Sequence, residues 1–417
     1  MRKRIALIGC AFAAMLGLAG CSGQAARAVT PPARSSPGRS SPAPPLTALA
    51  SPGSLASPGC STARAVAATL DQARTAMTAV AGNPFGVAVT SDSRWAFVAQ
   101  SSAARVEVMR IGPALSPAAV RSITLPGNAQ PLGETLTRDG RYLLVASDDG
   151  AVVLSVQRAE RGSPGAVLGT LQDRHASGAI EVAVSPDGGY AFVTEEDSHA
   201  AAVFNLRFAL AHGFGPGSFI GTIPLGLAPV GMAVSPDGRW LYATSEEMPG
   251  AGPAGPTGSL SIISLPRAET DPSASVAATV RAGCSPVRVI TSANGSQVWV
   301  TARESDDLLC FSASLLRTDP AHALTAIVRV GEAPVGLMLV RDGTRMVVAD
   351  SNRFGAARAT SDLAVVKVAS GREPALLGYL PAGLFPREMA LEPGGKTLLV
   401  TNYASSQLEA VSVTTLP

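Results

Sequence analysis

Lysine is nearly absent from this chain: Lys3, Lys367 and Lys396 are the only three in 417 residues, so arginine carries the positive charge. Histidine is as scarce, and His175, His199, His212 and His322 lie far apart. No Gly-x-Ser-x-Gly turn or Ser/His/Asp arrangement accompanies them, which argues against a triad hydrolase. Cys-x-x-Cys and clustered His/Cys spacings are missing too, so no zinc site is expected. Long amphipathic helix patterns are almost wanting, which leaves strands as the building material. A formal net charge of +2 gives no electrostatic footprint for nucleic acid.

What is present begins with a targeting signal. Arg2, Lys3 and Arg4 precede a mostly apolar run, Ile5 to Leu18, too short for a stop-transfer helix. It ends in Leu18-Ala19-Gly20-Cys21, which resembles the bacterial lipobox. Residues 1–20 are therefore expected to be a lipoprotein signal peptide and Cys21 the lipidated residue, palmitate included, holding the mature chain to the extracytoplasmic side of the cell membrane. The alternative is an ordinary secretory signal with an incidental cysteine. Removing the three basic residues of the signal leaves the mature chain one basic residue short of its 31 acidic ones. Residues 21–59 are rich in Pro, Ser, Ala and Gly and read as a disordered tether. The arginine, alanine and glycine bias suggests a GC-rich, actinobacterial genome.

Cys60, Cys284 and Cys310 remain beyond the anchor. An oxidising compartment permits one disulfide, and Cys284–Cys310 is the favoured pair; two buried free thiols are the alternative.

The stretch PVGMAVSPDGRWLYATSEE at 229–247 organises the rest. Two apolar runs flank Asp237-Gly238, a hairpin signal. Versions of it start at Pro84, Pro131, Ala179, Pro229, Pro286, Pro334 and Pro386, giving seven units of about 50 residues. Two further strand-like runs follow each hairpin, such as Ser259–Leu265 and Ser275–Arg281. The fold class predicted is all-β: a seven-bladed β-propeller of four-stranded antiparallel blades covering residues 60–417. The last unit lacks a fourth strand, and Thr75–Gly82 is expected to supply it by pairing with the C-terminal strands, closing the ring. Residues 63–70 are left as a strand or a short helix. Small residues such as Gly86, Ala88, Gly231, Ala233 and Gly336 fit crowded inner strands, and Trp95, Phe97, Tyr142, Phe192, Trp240, Tyr242 and Trp299 fit packing between blades.

Phe192-Val193-Thr194-Glu195, Trp299-Val300-Thr301-Ala302 and Leu399-Val400-Thr401-Asn402 resemble the Tyr-Val-Thr-Asn signature of YVTN β-propeller repeats. The resemblance covers about residues 75–417. It implies a propeller related to surface-layer-type repeats and, more remotely, to lactonase-like propellers, with no activity attached.

Two sets of residues depart from the repeat. The loops after the second strands hold Asp148 and Asp149, Glu195, Glu196 and Asp197, Glu246 and Glu247, Arg303 and Glu304 with Asp306 and Asp307, and Asp350 with Arg353. They share the face of the channel mouth and suit a basic partner or Ca²⁺, or form a solvated rim. At the third inner-strand position, mostly Gly, stand Glu181, Arg288 and Glu388, the last beside Arg387. These could orient an anionic or sugar-like ligand, act as acid and base in lactone opening, or seal the channel in mutual ion pairs. The function expected is a monomeric, membrane-tethered scaffold that binds a protein or cell-wall ligand without catalysis. A lactonase-like hydrolase is the alternative.

Overall fold

The hairpins form because each turn carries its own hydrogen-bonding side chain. In Ser185-Pro-Asp187 the serine Oγ donates to the aspartate at 2.6 Å and accepts from the Tyr190 N–H, while the aspartate accepts from Gly189 N–H. Thr90 with Asp92 and Thr137 with Asp139 repeat the pattern, and Ser292 with Asn294 substitutes an amide. The turn is thus closed by local bonds that need no tertiary support.

The computed structural model describes residues 55–112, 115–127, 129–249, 257–355, 361–368 and 372–417. The expected signal peptide, Cys21 and most of the tether lie outside them. The described residues form seven four-stranded antiparallel sheets, one per repeat, as the periodicity predicts. In the fourth blade the strands are Leu227–Val234, Trp240–Glu247, Thr257–Ser264 and Val276–Cys284, from the axis outward. The seventh blade is Pro386–Leu391, Thr397–Asn402 and Gln407–Ser412, completed by Thr75–Ala79. Thr75 lies opposite Val411 and Ala79 opposite Gln407, so the chain's two ends share one sheet. Short helices unread in the sequence join third to fourth strands. Val156–Arg161 and Leu206–His212 are two, capped by the Ser155 and Asn205 side chains. They are too short to show a helical period.

Phe97, Phe192, Tyr242 and Trp299 are buried between blades, while Tyr142 and Trp240 are half-buried. At the axis the packing is backbone on backbone. A Cβ at Gly336 would overlap the Arg387 carbonyl of the next blade, and one at Gly231 would overlap that of Val287. The same carbonyl positions are tied by threonine: Thr244 Oγ1 donates to Val287 O, Thr301 to Val335 O and Thr401 to Phe85 O. Each hydroxyl also accepts an N–H of its own blade, from Gly231, Arg288 and Glu388. The threonine of the YVTN-like runs is therefore the stitch between neighbouring blades.

Two expectations are corrected. Residues 63–70 form neither helix nor regular strand. They run as a strap along blades five and six, with one parallel bridge from Thr69 to Tyr379. Ala65 N–H donates to Val330 O, Arg329 donates to the carbonyls of Ser61 and Ala63, and Arg64 pairs with Asp362 at 2.8 Å. The disulfide is Cys60–Cys284, not Cys284–Cys310. Cys284 ends the fourth blade's outer strand, where the strap passes, whereas Cys310 lies mid-strand in Asp307–Ser312, a buried free thiol among Trp299, Leu308 and Val328. Burial pushes that thiol up to about 11.

Thr301→Ala should cost about 1–3 kcal/mol, because it leaves the Arg288 N–H and the Val335 carbonyl without their shared partner. Thr301→Ser, which keeps the hydroxyl, should recover most of it in urea unfolding. Equal loss in both variants would refute the stitching role.

Candidate functional site

The residue that follows the first position of each repeat is apolar in six of the seven blades: Phe85, Leu132, Ile180, Val230, Val287 and Val335. Val230, Val287 and Val335 pack together with Ile180 and Phe385. In the seventh blade the position is Arg387, so one guanidinium enters an otherwise apolar ring.

Glu181, Arg288 and Glu388, from blades three, five and seven, converge as the sequence predicts. Arg288 is 5% exposed. Its Nη2 lies 2.5 Å from Glu388 Oε1 and its Nε 3.4 Å from Glu181 Oε2, while Nη1 donates to Val230 O at 3.1 Å. Burial opposes the Arg288 charge, but Glu388 and Glu181 outweigh it and hold its pKa above the ordinary value. One guanidinium faces two carboxylates. Burial, with Glu388 adding to it against Arg288, pushes the Glu181 carboxyl up to about 8.

Glu134 joins this centre and was missed. It is buried, has no ion pair among the described residues, and burial, opposed by the Ala88 backbone N–H and aided by Glu181, raises its pKa well above the usual range. Its position holds Val87, Val182, Met232, Val289, Leu337 or Met389 in the other inner strands. A carboxylate at that apolar position was the available signal.

The loop residues divide. Glu246 takes both Arg303 Nη1 and Nη2 at 2.7 Å, and Asp197 accepts from Ser177 Oγ at 3.1 Å. Asp148 and Asp149 lend carbonyls to Ala179 and Asp173 N–H, Glu304 N–H donates to Cys284 O, and Glu247 is exposed at a strand end. Glu196 begins a 3-10 turn, with its pKa raised by burial and by Glu246. Glu195 and Asp350 are not loop residues, and neither are Glu246 and Glu247, which end the second strand Trp240–Glu247. Glu195 and Asp350 end the second strands Tyr190–Glu195 and Arg345–Asp350 and are buried, with Asp350 against the Gly331 backbone N–H. Burial, then Asp173 and Asp149, pushes Glu195 up to about 8. Among the described residues no three His, Cys, Asp or Glu side chains are arranged to hold a metal ion, so the Ca²⁺ expectation finds no ligand set.

A second feature escaped the sequence. Arg387 lies over the rings of Phe85 (3.8 Å), Phe385 (4.9 Å) and Tyr403 (5.5 Å), and Arg353 over Phe354 (5.4 Å) and Phe385 (5.6 Å). The aromatics come from blades one, six and seven and the connection between the last two, so no local pattern announced them. Burial and then Arg303 lower the Arg353 pKa; burial and then Arg288 bring Arg387 down to about 9.

No protein-family model matches the chain, and no curated protein sequence is similar to it. Among solved structures it is similar to Kuenenia stuttgartiensis Hydrazine Synthase, with a TM-score of 0.60, 16% identity, and coverage of 80% of this chain and 96% of that one. At that identity the likeness is one of fold. Among the described residues no helix is long and apolar enough to cross a membrane.

Glu181 and Glu195 hold protons in the folded state that the unfolded chain releases near pH 4.3. Their stabilising contribution is whole below that pH and is lost as pH rises toward about 8. The melting temperature should accordingly fall between pH 5 and pH 8, and Glu195→Gln, which cannot ionise, should flatten the fall. An unchanged slope would show that Glu195 is ionised in the folded protein.

Proposed function

We propose that this chain is a lipid-anchored, extracytoplasmic propeller of the YVTN type whose loop face binds a protein or cell-wall ligand and whose channel performs no chemistry. The observation that carries it is Arg288. The guanidinium that a lactonase-like site would need for a substrate is instead consumed by Glu388, Glu181 and the Val230 carbonyl. General acid–base work needs groups within reach of the proton they transfer, and these face one another. The raised Glu181 carboxyl supplies a protonated acid near neutrality, which is the one feature favouring the hydrolase alternative. A lactone panel given to the full-length protein should yield no turnover above buffer. Turnover abolished by Arg288→Ala or Glu388→Ala would overturn the binding reading.

The anchor rests on Leu18-Ala19-Gly20-Cys21 and the basic run before it. In detergent phase partitioning the mature protein should enter the detergent phase and Cys21→Ala the aqueous phase. Aqueous partitioning of both would remove the anchor.

A further inference from the structure

The arginines of the loop face differ in one respect. Arg303 is held by Glu246, Arg288 by Glu181 and Glu388, Arg329 by Asp307 and Arg64 by Asp362. Arg353 and Arg387 have no ion pair within 4 Å among the described residues. Both lie against the same Phe385 ring, at 5.6 and 4.9 Å, so the two guanidiniums share one platform. Glu196, Glu246 and Glu304 contribute favourable potential at Arg353 without pairing with it.

Half-buried cations held only by ring faces lack the acceptors that a guanidinium's five N–H donors require. Nε of Arg387 is buried without a hydrogen-bond partner among the described residues. A planar fork open at its tip matches a carboxylate or a phosphate. Next to it, Phe354 is 61% exposed, although Arg353 and Arg303 lie over its ring at 5.4 and 5.7 Å. An exposed ring beside an unpaired guanidinium fits an amphipathic ring carrying a negative group.

Resting on the binding reading above, we propose that Arg353 and Arg387 form an anion site at the channel mouth for an acidic sugar, its carboxylate or phosphate on the guanidiniums and its ring against Phe354. The shared chemistry is a saccharide ring bearing an oxyanion, and two probes distinguish its sources.

Calorimetric titration of the full-length protein with glucuronate, glucose 6-phosphate, glucose and inorganic phosphate tests this. The two acidic sugars, or one of them, should bind, and glucose should not. Arg353→Gln should weaken binding by about tenfold or more, the loss of one charge-assisted contact. Arg387→Lys, which keeps charge but loses the fork, should also weaken it, and Phe354→Ala should weaken the sugars more than phosphate. Arg207→Gln, at the Asp187 turn on the opposite face, should bind as wild type. Absence of binding by both acidic sugars, or binding that survives Arg353→Gln in a protein of unchanged melting temperature, would overturn the site. Inorganic phosphate binding as tightly as the phosphosugar would overturn the role of Phe354. Failure here without lactone turnover leaves the scaffold reading standing, whereas turnover defeats that reading whatever the titrations give.

Discussion

The approach of neighbouring backbones at the ring axis is the constraint on which the rest of this molecule depends. Seven inner strands meet in a space where the carbonyl of one blade occupies the volume a Cβ of the previous blade would fill, as at Gly336 and Gly231. Threonines of the second strands bridge the same contacts, each giving one hydrogen bond forward and taking one from its own blade. A buried polar group so satisfied adds order without a desolvation penalty, and the ring acquires a rigid centre.

That centre makes any departure from the repeat consequential. Arg288 and Glu388 bring an ion pair into it, with the Glu181 carboxyl pushed up to about 8 beside them, and removing one side of that pair would cost about 3–5 kcal/mol. Glu134 has its pKa raised by burial and by its neighbour Glu181, against the Ala88 backbone N–H. Arg387 of an inner strand and Arg353 of a loop after a second strand have no ion pair among the described residues and lie instead against the aromatic rings of the loop face.

The strap from Cys60 to Ala73 adds a second closure. It precedes the strand Thr75–Ala79 that completes the last blade, and it is fixed to blade four by the Cys60–Cys284 bond and to blade six by Arg64 and Tyr379. A bond joining residues 224 apart in sequence limits the freedom of the unfolded chain and ties the segment leading from the N-terminus to the ring rather than to its closing strand alone.

Much of the fold was legible in the sequence because its determinants are local and repeated. The Ser/Thr-x-Asp turns close themselves, and strand patterns between them recur seven times, so blade number, strand pairing and the closing strand at Thr75 followed. Departures from that pattern also named Glu181, Arg288 and Glu388. Their partners were another matter, since those residues stand about 100 positions apart and only ring closure sets them within hydrogen-bond distance. The same holds for Glu134, whose burial depends on the neighbouring blade, and for Cys284, whose true partner lies in a strap without periodicity. Glu195 and Asp350 read as loop acids because polarity marks a loop in sequence, yet each ends a strand beneath the next connection. Local chemistry thus determined the blade and the count of blades, while distance in the folded ring alone decided which charges were paired, which were buried, and which were left open at the rim.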